Sequence, residues 1–402
     1  MDKSTYLLAA AAACIASPAM AGIGDPVPIG GEITFDLQAN ARVRYETVDQ
    51  ANIANVADAL TARLRLGGEL KYKIVSVLVE GEGILLLVDD FNDTIATNGL
   101  EPFPIVADPG NLELNRAQIS VMKDGTGFTL GRQRINLDNQ RFVGAVGWRQ
   151  NEQTFDAVRG QAKIGKFKLD ATYAQAQRTI FGNRSASEHF SGNLVLLNAA
   201  YDGARVDASV FSYLLDYDTR AAFSSATYGG LVLGNVPLGP VTLNGMASYA
   251  TQSDYGTNPG SYSVDYLALE ASAAARGFSL GAGYELLGSD GGTAAFQTPL
   301  ATMHAFNGWA DLFLTTPVAG LQDYYVKAGY TPPSPPIPGL SVAAAWHSYS
   351  ADFGNANYGT EWNASLGARL GPIAAMVKFA DYQSNEFAAD KQIVWVQAEY
   401  SF

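Results

Sequence analysis

Three pairs of arginines recur with one residue between them: Arg42 and Arg44, Arg63 and Arg65, Arg132 and Arg134. A guanidinium is a planar, permanently charged fork whose N–H groups match the oxygens of a carboxylate or phosphate. A spacing of two puts both forks on one face of a β-strand, so each pair reads as a short anion-binding ladder. The acids Glu69, Glu80, Glu82 and Asp156 offer the same arginines a second role, as partners in neutral pairs that keep that face rigid and wet.

The elements that position these forks are strands with one dry and one wet face. From Glu32 to Glu46 the even positions are polar and the odd ones apolar, from Ile33 and Phe35 to Val43 and Tyr45. A period of two over such a length exceeds the usual soluble strand and suffices for a tilted strand to cross a bilayer. Arginine on the lipid side at mid-bilayer costs about 2–4 kcal/mol, so the arginine face must be a watery lumen. No later segment offers the run of uncharged apolar residues that a helical span requires, although 48% of the chain is hydrophobic. The 41 glycines and 20 tyrosines fit turns and membrane-interface belts.

Lys3, the apolar stretch Tyr6 to Ile15 and Ala19-Met20-Ala21 form a secretory signal, so the expected division is 1–21 signal peptide and 22–402 a single barrel domain. The Ala-x-Ala site accounts for this segment better than lipidation at Cys14, and without Cys14 the secreted chain has no thiol. The expected address is the bacterial outer membrane.

Alternating runs give about eighteen antiparallel strands, near 32–46, 60–73, 75–86, 112–122, 126–135, 153–163, 166–178, 191–202 and 205–218, then 226–235, 240–252, 263–276, 278–288, 321–330, 340–350, 361–370, 373–383 and 392–402. Short connections such as Asp202-Gly203 and Gly371-Pro372 alternate with long ones at 87–111, 136–152 and 289–320, as in an all-β transmembrane barrel with short periplasmic turns and long extracellular loops. The last strand places Val394, Val396, Ala398, Tyr400 and Phe402 on the lipid face, and a terminal aromatic of this kind is what barrel assembly machinery recognises. Arg116 and Arg159 join the pairs as expected pore-lining residues. Loop 136–152 carries Asn136, Asp138, Arg141, Phe142, Trp148 and Arg149; a loop of this length and character either folds inward as a constriction or caps the surface.

In Gly131-Arg132-Gln133-Arg134-Ile135-Asn136-Leu137-Asp138-Asn139-Gln140-Arg141-Phe142-Val143-Gly144 and Trp148 to Asp156, the chain resembles the alginate export family of outer-membrane barrels; Leu112 to Ser120, Gly320 to Asp323 and Tyr358 to Trp362 are similar too. The resemblance implies an eighteen-stranded monomer with an arginine-rich conduit for an anionic polysaccharide or smaller organic anions. Alginate-secreting members have an extended periplasmic gating loop, whereas the longest periplasmic turn here is Thr331 to Gly339. A passive channel for uronates, oligosaccharides or small organic anions is therefore favoured over polymer secretion, and uptake over export.

The rival readings are an outer-membrane enzyme and a sealed structural or adhesive barrel. His189, His304 and His347 show no recurring spacing, no Gly-x-Ser-x-Gly is present, and the histidines read as interface or surface residues. Asp89, Asp90 and Asp93 lack the glycine and terminal glutamate of a calcium loop. No cofactor and no metal are expected, and a net charge of −13 disfavours nucleic acid. The expected partners are outer-membrane lipid and lipopolysaccharide, the assembly machinery and an anionic solute.

Overall fold

The computed structural model describes residues 25–402; the expected signal segment 1–21 lies outside them. Eighteen strands, each antiparallel to its neighbours in the chain, run from Ile33–Gln50 to Lys391–Ser401. The last pairs with the first, from Lys391 opposite Gln50 to Ser401 opposite Asn40, and the sheet closes into a barrel. Backbone bonds in both directions between Ala39 and Phe402, at 3.1 and 3.0 Å, carry the seam to the C-terminus. Closure leaves no edge, which is what lets strands stand in lipid with every backbone group paired. A further short strand, Val27–Gly30, folds back on Ile33–Phe35 beside the seam.

Alternation sorts the two faces. Leu37, Val43, Leu64, Leu66, Leu169 and Val396 are exposed on the outer surface, while Arg42, Arg44, Arg63, Arg65, Glu80 and Glu82 are buried within the barrel. At one rim the turns are tight: Asp124 and Gly125 both have positive φ, 52° and 80°, as a two-residue hairpin requires. The longest connection at that rim is 331–340. The other rim bears the long loops, of which 91–110, 134–153 and 288–320 are the largest. Segment 307–314 lies in a loop as expected, preceded by one helical turn at Met303–Ala305. Among the described residues no helix is long and apolar enough to cross a membrane.

The interior is packed mainly in its loop-rim half. Phe142 and Phe296 meet the wall residues Phe211, Tyr213 and Tyr266 on one side. Phe313 and Phe387 meet Tyr349, Tyr358 and Tyr382 on the other.

Candidate functional site

Loop 134–153 folds into the barrel. The strand before it, Thr126–Gln133, has 8 residues, so the chain leaves the wall early and turns inward. The Asn136 carboxamide oxygen accepts the Ala145 N–H at 2.7 Å and Leu137 N–H donates to the Val143 carbonyl at 3.1 Å, closing the loop on itself. Its tip is fixed to the far wall: Asn198 donates to Asp138 at 2.7 Å, and the Phe142 ring lies 4.7 Å from Phe211 and 5.2 Å from Tyr266. Arg141 donates to Glu285 at 2.6 Å, to Thr298 at 2.9 Å and to Asn307 at 3.1 Å, tying this loop to loop 288–320.

The two arginine pairs on the first strands hold the loop's other limb by its backbone. Arg42 Nη1 donates to the carbonyls of Gly147, Trp148 and Arg149 at 3.1, 3.0 and 3.2 Å. Arg44 Nη2 donates to the Trp148 carbonyl at 2.6 Å, Arg63 Nη1 to those of Arg149 and Gln150 at 3.4 Å each, and Arg65 Nη2 to that of Gln150 at 3.1 Å. Four successive carbonyls thus face four guanidiniums. Of their other N–H groups, some reach acids and some amides: Arg42 and Arg63 share Glu399, Arg65 bonds Glu82 and lies 3.1 Å from Glu152, Arg63 also bonds Asn40, and Arg44 Nε donates to Gln397 at 3.0 Å.

Above this limb sits an aromatic and charged roof. Trp148 stacks on His304 with ring centroids 4.2 Å apart, and its indole also lies 4.0 Å from both the Arg44 guanidinium and Lys378 Nζ. Lys378 donates to His304 Nε2 at 2.8 Å and lies 3.7 Å from the Trp309 ring. With Nε2 accepting, the proton sits on Nδ1 and is donated to Asp311 at 2.9 Å. Burial pushes His304 down to about 3 against the pull of Asp311, so the ring is neutral. Asp311, though buried, is held charged by His304 and by Arg149, whose guanidinium is 2.8 Å away. Asn307 and Gly308, with φ of 55° and 83°, let the chain run against Glu361, which accepts the N–H groups of Trp309 and Ala310. A Cβ on Gly308 would overlap Tyr349 and that carboxylate.

The other expected residues divide. Arg116 donates twice to Glu80, at 2.9 and 2.6 Å, and Arg159 bonds Asp170 at 2.7 Å, both inside the barrel. Arg134, just past its strand, turns inward to Glu152 at 2.6 Å. Burial disfavours the Glu152 carboxylate, but Arg65 and Arg134 outweigh it and hold it down to about 2. Arg132 does not face the lumen. It shares its strand face with the exposed Phe128 and Leu130, stands opposite Asp156 and pairs with it at 2.8 Å on the outer side. The strand ends between Arg132 and Arg134, so their spacing of two no longer sets a common face. Of the other acids weighed as partners, Glu69 stands opposite Asp36.

Of the three histidines, expected as interface or surface residues, two are enclosed within the barrel. His304 is in the roof, and His347 is buried with Nδ1 3.0 Å from the Asp323 carboxylate. Only His189 is exposed at the rim. Neither enclosure has a sequence signal of its own. Asp93 accepts the Ile95 N–H at 3.0 Å and the Asn98 amide at 2.7 Å, structuring its own loop.

Beneath the roof lies a cavity of about 1750 Å³ that extends to the short turns, with Gly125, Gly277, Thr331 and Phe402 in its lining. Its arginines are grouped. Along the wall from Ile33–Gln50 to Phe167–Arg178 stand Arg42, Arg63, Arg65, Arg116, Arg134 and Arg159, with Glu80, Glu152 and Asp170 among them; opposite stand Glu270, Glu285 and Asp323, with Lys378 and with Lys327 2.5 Å from Glu270.

A closed barrel with an apolar outer band and a charged, roofed lumen defines a bacterial outer-membrane β-barrel protein of porin-like architecture. Within that class the chain belongs to the alginate export family, whose model matches residues 34–251. No curated protein sequence matches it. Among solved structures it is similar to Pseudomonas aeruginosa OccK9 (OpdG), at 16% identity and a TM-score of 0.72 over 92% of this chain and 98% of that one. Acinetobacter baumannii OccAB4 aligns at 13% identity and a TM-score of 0.72, again over 92% and 98%. Pseudomonas aeruginosa OpdK with vanillate aligns at 14% identity and a TM-score of 0.70, over 91% and 98%. At these identities the likeness concerns the fold.

Proposed function

We propose that this protein is a passive channel for small organic anions, uronates and related carboxylates among them. The observation that carries the reading is the grouping of arginines on one wall of the cavity. On this arc Glu399 serves both Arg42 and Arg63, and Glu152 serves both Arg65 and Arg134, while Arg65 also meets Glu82, Arg116 meets Glu80 and Arg159 meets Asp170. Six arginines thus face five carboxylates, which leaves a small positive excess, and in a partly desolvated lumen its field is weakly screened. Forked donors at several heights offer a carboxylate successive binding positions, which lets a solute enter without being trapped.

Three further points support it. A neighbour of the same fold was crystallised with vanillate, an aromatic carboxylate. The cavity lining includes no residue of the rim loops 91–110 or 179–188, so the roof stands between lumen and exterior and admits a small solute more readily than a polymer. The turn 331–340 is short, which argues against polymer secretion, the second reading that family membership keeps open. Liposome swelling tests the proposal: glucuronate should enter proteoliposomes faster than glucose, which is of similar size, and equal or reversed rates would refute it.

A further inference from the structure

The forks that line the cavity already have an occupant. Arg42, Arg63 and Arg65 all direct N–H groups at one stretch of backbone, the carbonyls of Gly147, Trp148, Arg149 and Gln150. That stretch belongs to no strand, and it is held by wall and loop side chains: Trp148 by His304, Trp395, Arg44 and Lys378, Arg149 by Glu46, Asp108 and Asp311, and Gln150 by Thr61 at 2.8 Å and, through its N–H, by Asp108 at 2.7 Å. A peptide carbonyl is a neutral acceptor. The guanidinium donor already makes that bond charge-assisted, and a carboxylate adds a charged acceptor, so the ionic pair is favoured over the carbonyl by the attraction of the two charges. The carbonyl row therefore holds, with weaker acceptors, the position an anionic solute would take. Arg42, Arg63 and Arg65 are reachable from the cavity below, whereas Arg44 is not part of that lining.

We infer that Gly147–Gln150 is a displaceable latch: the carboxylate of an incoming solute takes over Arg42, Arg63 and Arg65, and the released segment swings out of the lumen and opens the roof. The inference rests on the anion-channel reading and adds that the solute opens its own path. A ligand shifts such an equilibrium only by its preference for one state, and here the preference is built in, because Arg42 Nη1, Arg63 Nη1 and Arg65 Nη2, which hold the carbonyls, become available only when the latch is released. A neutral sugar has no such preference.

The test is single-channel recording of the refolded barrel in planar bilayers, with glucuronate or glucose added to the chamber facing the short turns. Glucuronate should raise the open probability about tenfold, the shift that a tenfold preference for the released state produces, and glucose should leave it unchanged. Replacing 139–150 by a short Gly-Ser linker should give a channel that stays open in either solute. Thr61→Cys with Gln150→Cys, joined by a short bis-thiosulfonate linker, should stay closed in glucuronate and recover on reduction; the sole cysteine of the chain, Cys14, lies in the signal segment and does not interfere. Should the loop replacement fail to fold, the cross-linked barrel carries the test. An anion-selective channel whose open probability is the same in glucuronate and glucose, or a cross-linked barrel that conducts normally, overturns the latch while leaving the anion channel intact. A cation-selective channel that ignores glucuronate overturns both.

Discussion

Trp148 lies flat on His304, with ring centroids 4.2 Å apart and planes 4° from parallel, and this contact, packed against Trp395 of the wall, joins the two inward-folded loops together with the bonds of Arg141 to Thr298 and Asn307 and of Arg149 to Asp311. Arg44 and Lys378 flank the same indole. Truncation of a packed aromatic costs about 3–5 kcal/mol of local packing. Trp148→Ala should therefore loosen the roof while the barrel's backbone ladder stays intact. The expected result is a larger and noisier single-channel conductance with heat-modifiable mobility unchanged; parental conductance in a folded variant would mean that the roof does not limit flow.

Acid should act on the same place. The folded His304 sits at about 3, below its ordinary range, so the unfolded loop binds more protons and stability falls as pH drops from about 6.5 toward that value. Glu152, held down to about 2, contributes stability that is full above the ordinary carboxylate range and is lost between that range and about 2. Both signs agree: lowering the pH through the histidine range and on into the carboxylate range should progressively release the loops, read as a fall in Trp148 stacking by tryptophan fluorescence, while far-UV circular dichroism keeps the β signal. His304→Gln should remove the less acidic part of that transition. Loss of the β signal in step with the fluorescence would refute a local event.

The lipid and lumen faces should respond oppositely to charge. Leu37 is exposed on the outer face, and Gln38 points inward to Asp36 and Arg116. Leu37→Arg should lower the folded fraction in heat-modifiability assays, at a cost of up to about 2–4 kcal/mol near the midplane, and Gln38→Arg should not. Leu169→Lys and Asp170→Lys form a second such pair, and equal folding within each pair would contradict the register.

Deleting Phe402 removes the two backbone bonds to Ala39 that end the closing seam. The expected outcome is less folded barrel in the outer membrane with secretion across the inner membrane unaffected. Unchanged surface levels would show that the terminal aromatic is dispensable.

The wall of the barrel was legible in the sequence because its physics is local: period-two alternation and turn residues lie next to the strands they define. All eighteen expected runs match strands, with ends displaced by a few residues. What alternation does not encode is the face after a strand ends or bulges. Arg132 and Arg134 part company at a strand end, and the register shift opposite Glu80 and Gly81 places both Asn115 and Arg116 inside, where strict alternation would put one of them in lipid. The roof was illegible for a different reason. Arginines that bond backbone carbonyls leave no complementary side chain to recognise, and the distant pairs Trp148 with His304 and Arg141 with Glu285 depend on how two loops fold into a space that the strands only enclose.

The account's central claim is that the positive arc sets selectivity, and the reversal potential across a salt gradient measures it most directly. The parent channel should prefer anions. Arg→Gln changes made pair by pair at Arg42/Arg44 and Arg63/Arg65, with Arg116 and Arg159 as a third set, should each move the reversal potential toward cations, since the opposite wall keeps Glu270, Glu285 and Asp323. Arg132→Gln, on the outer face, should leave it unmoved. A parent that prefers cations, with lumen variants indistinguishable from it, would mean that Glu80, Glu82, Glu152 and Glu399 already neutralise the arginines, and it would contradict the account.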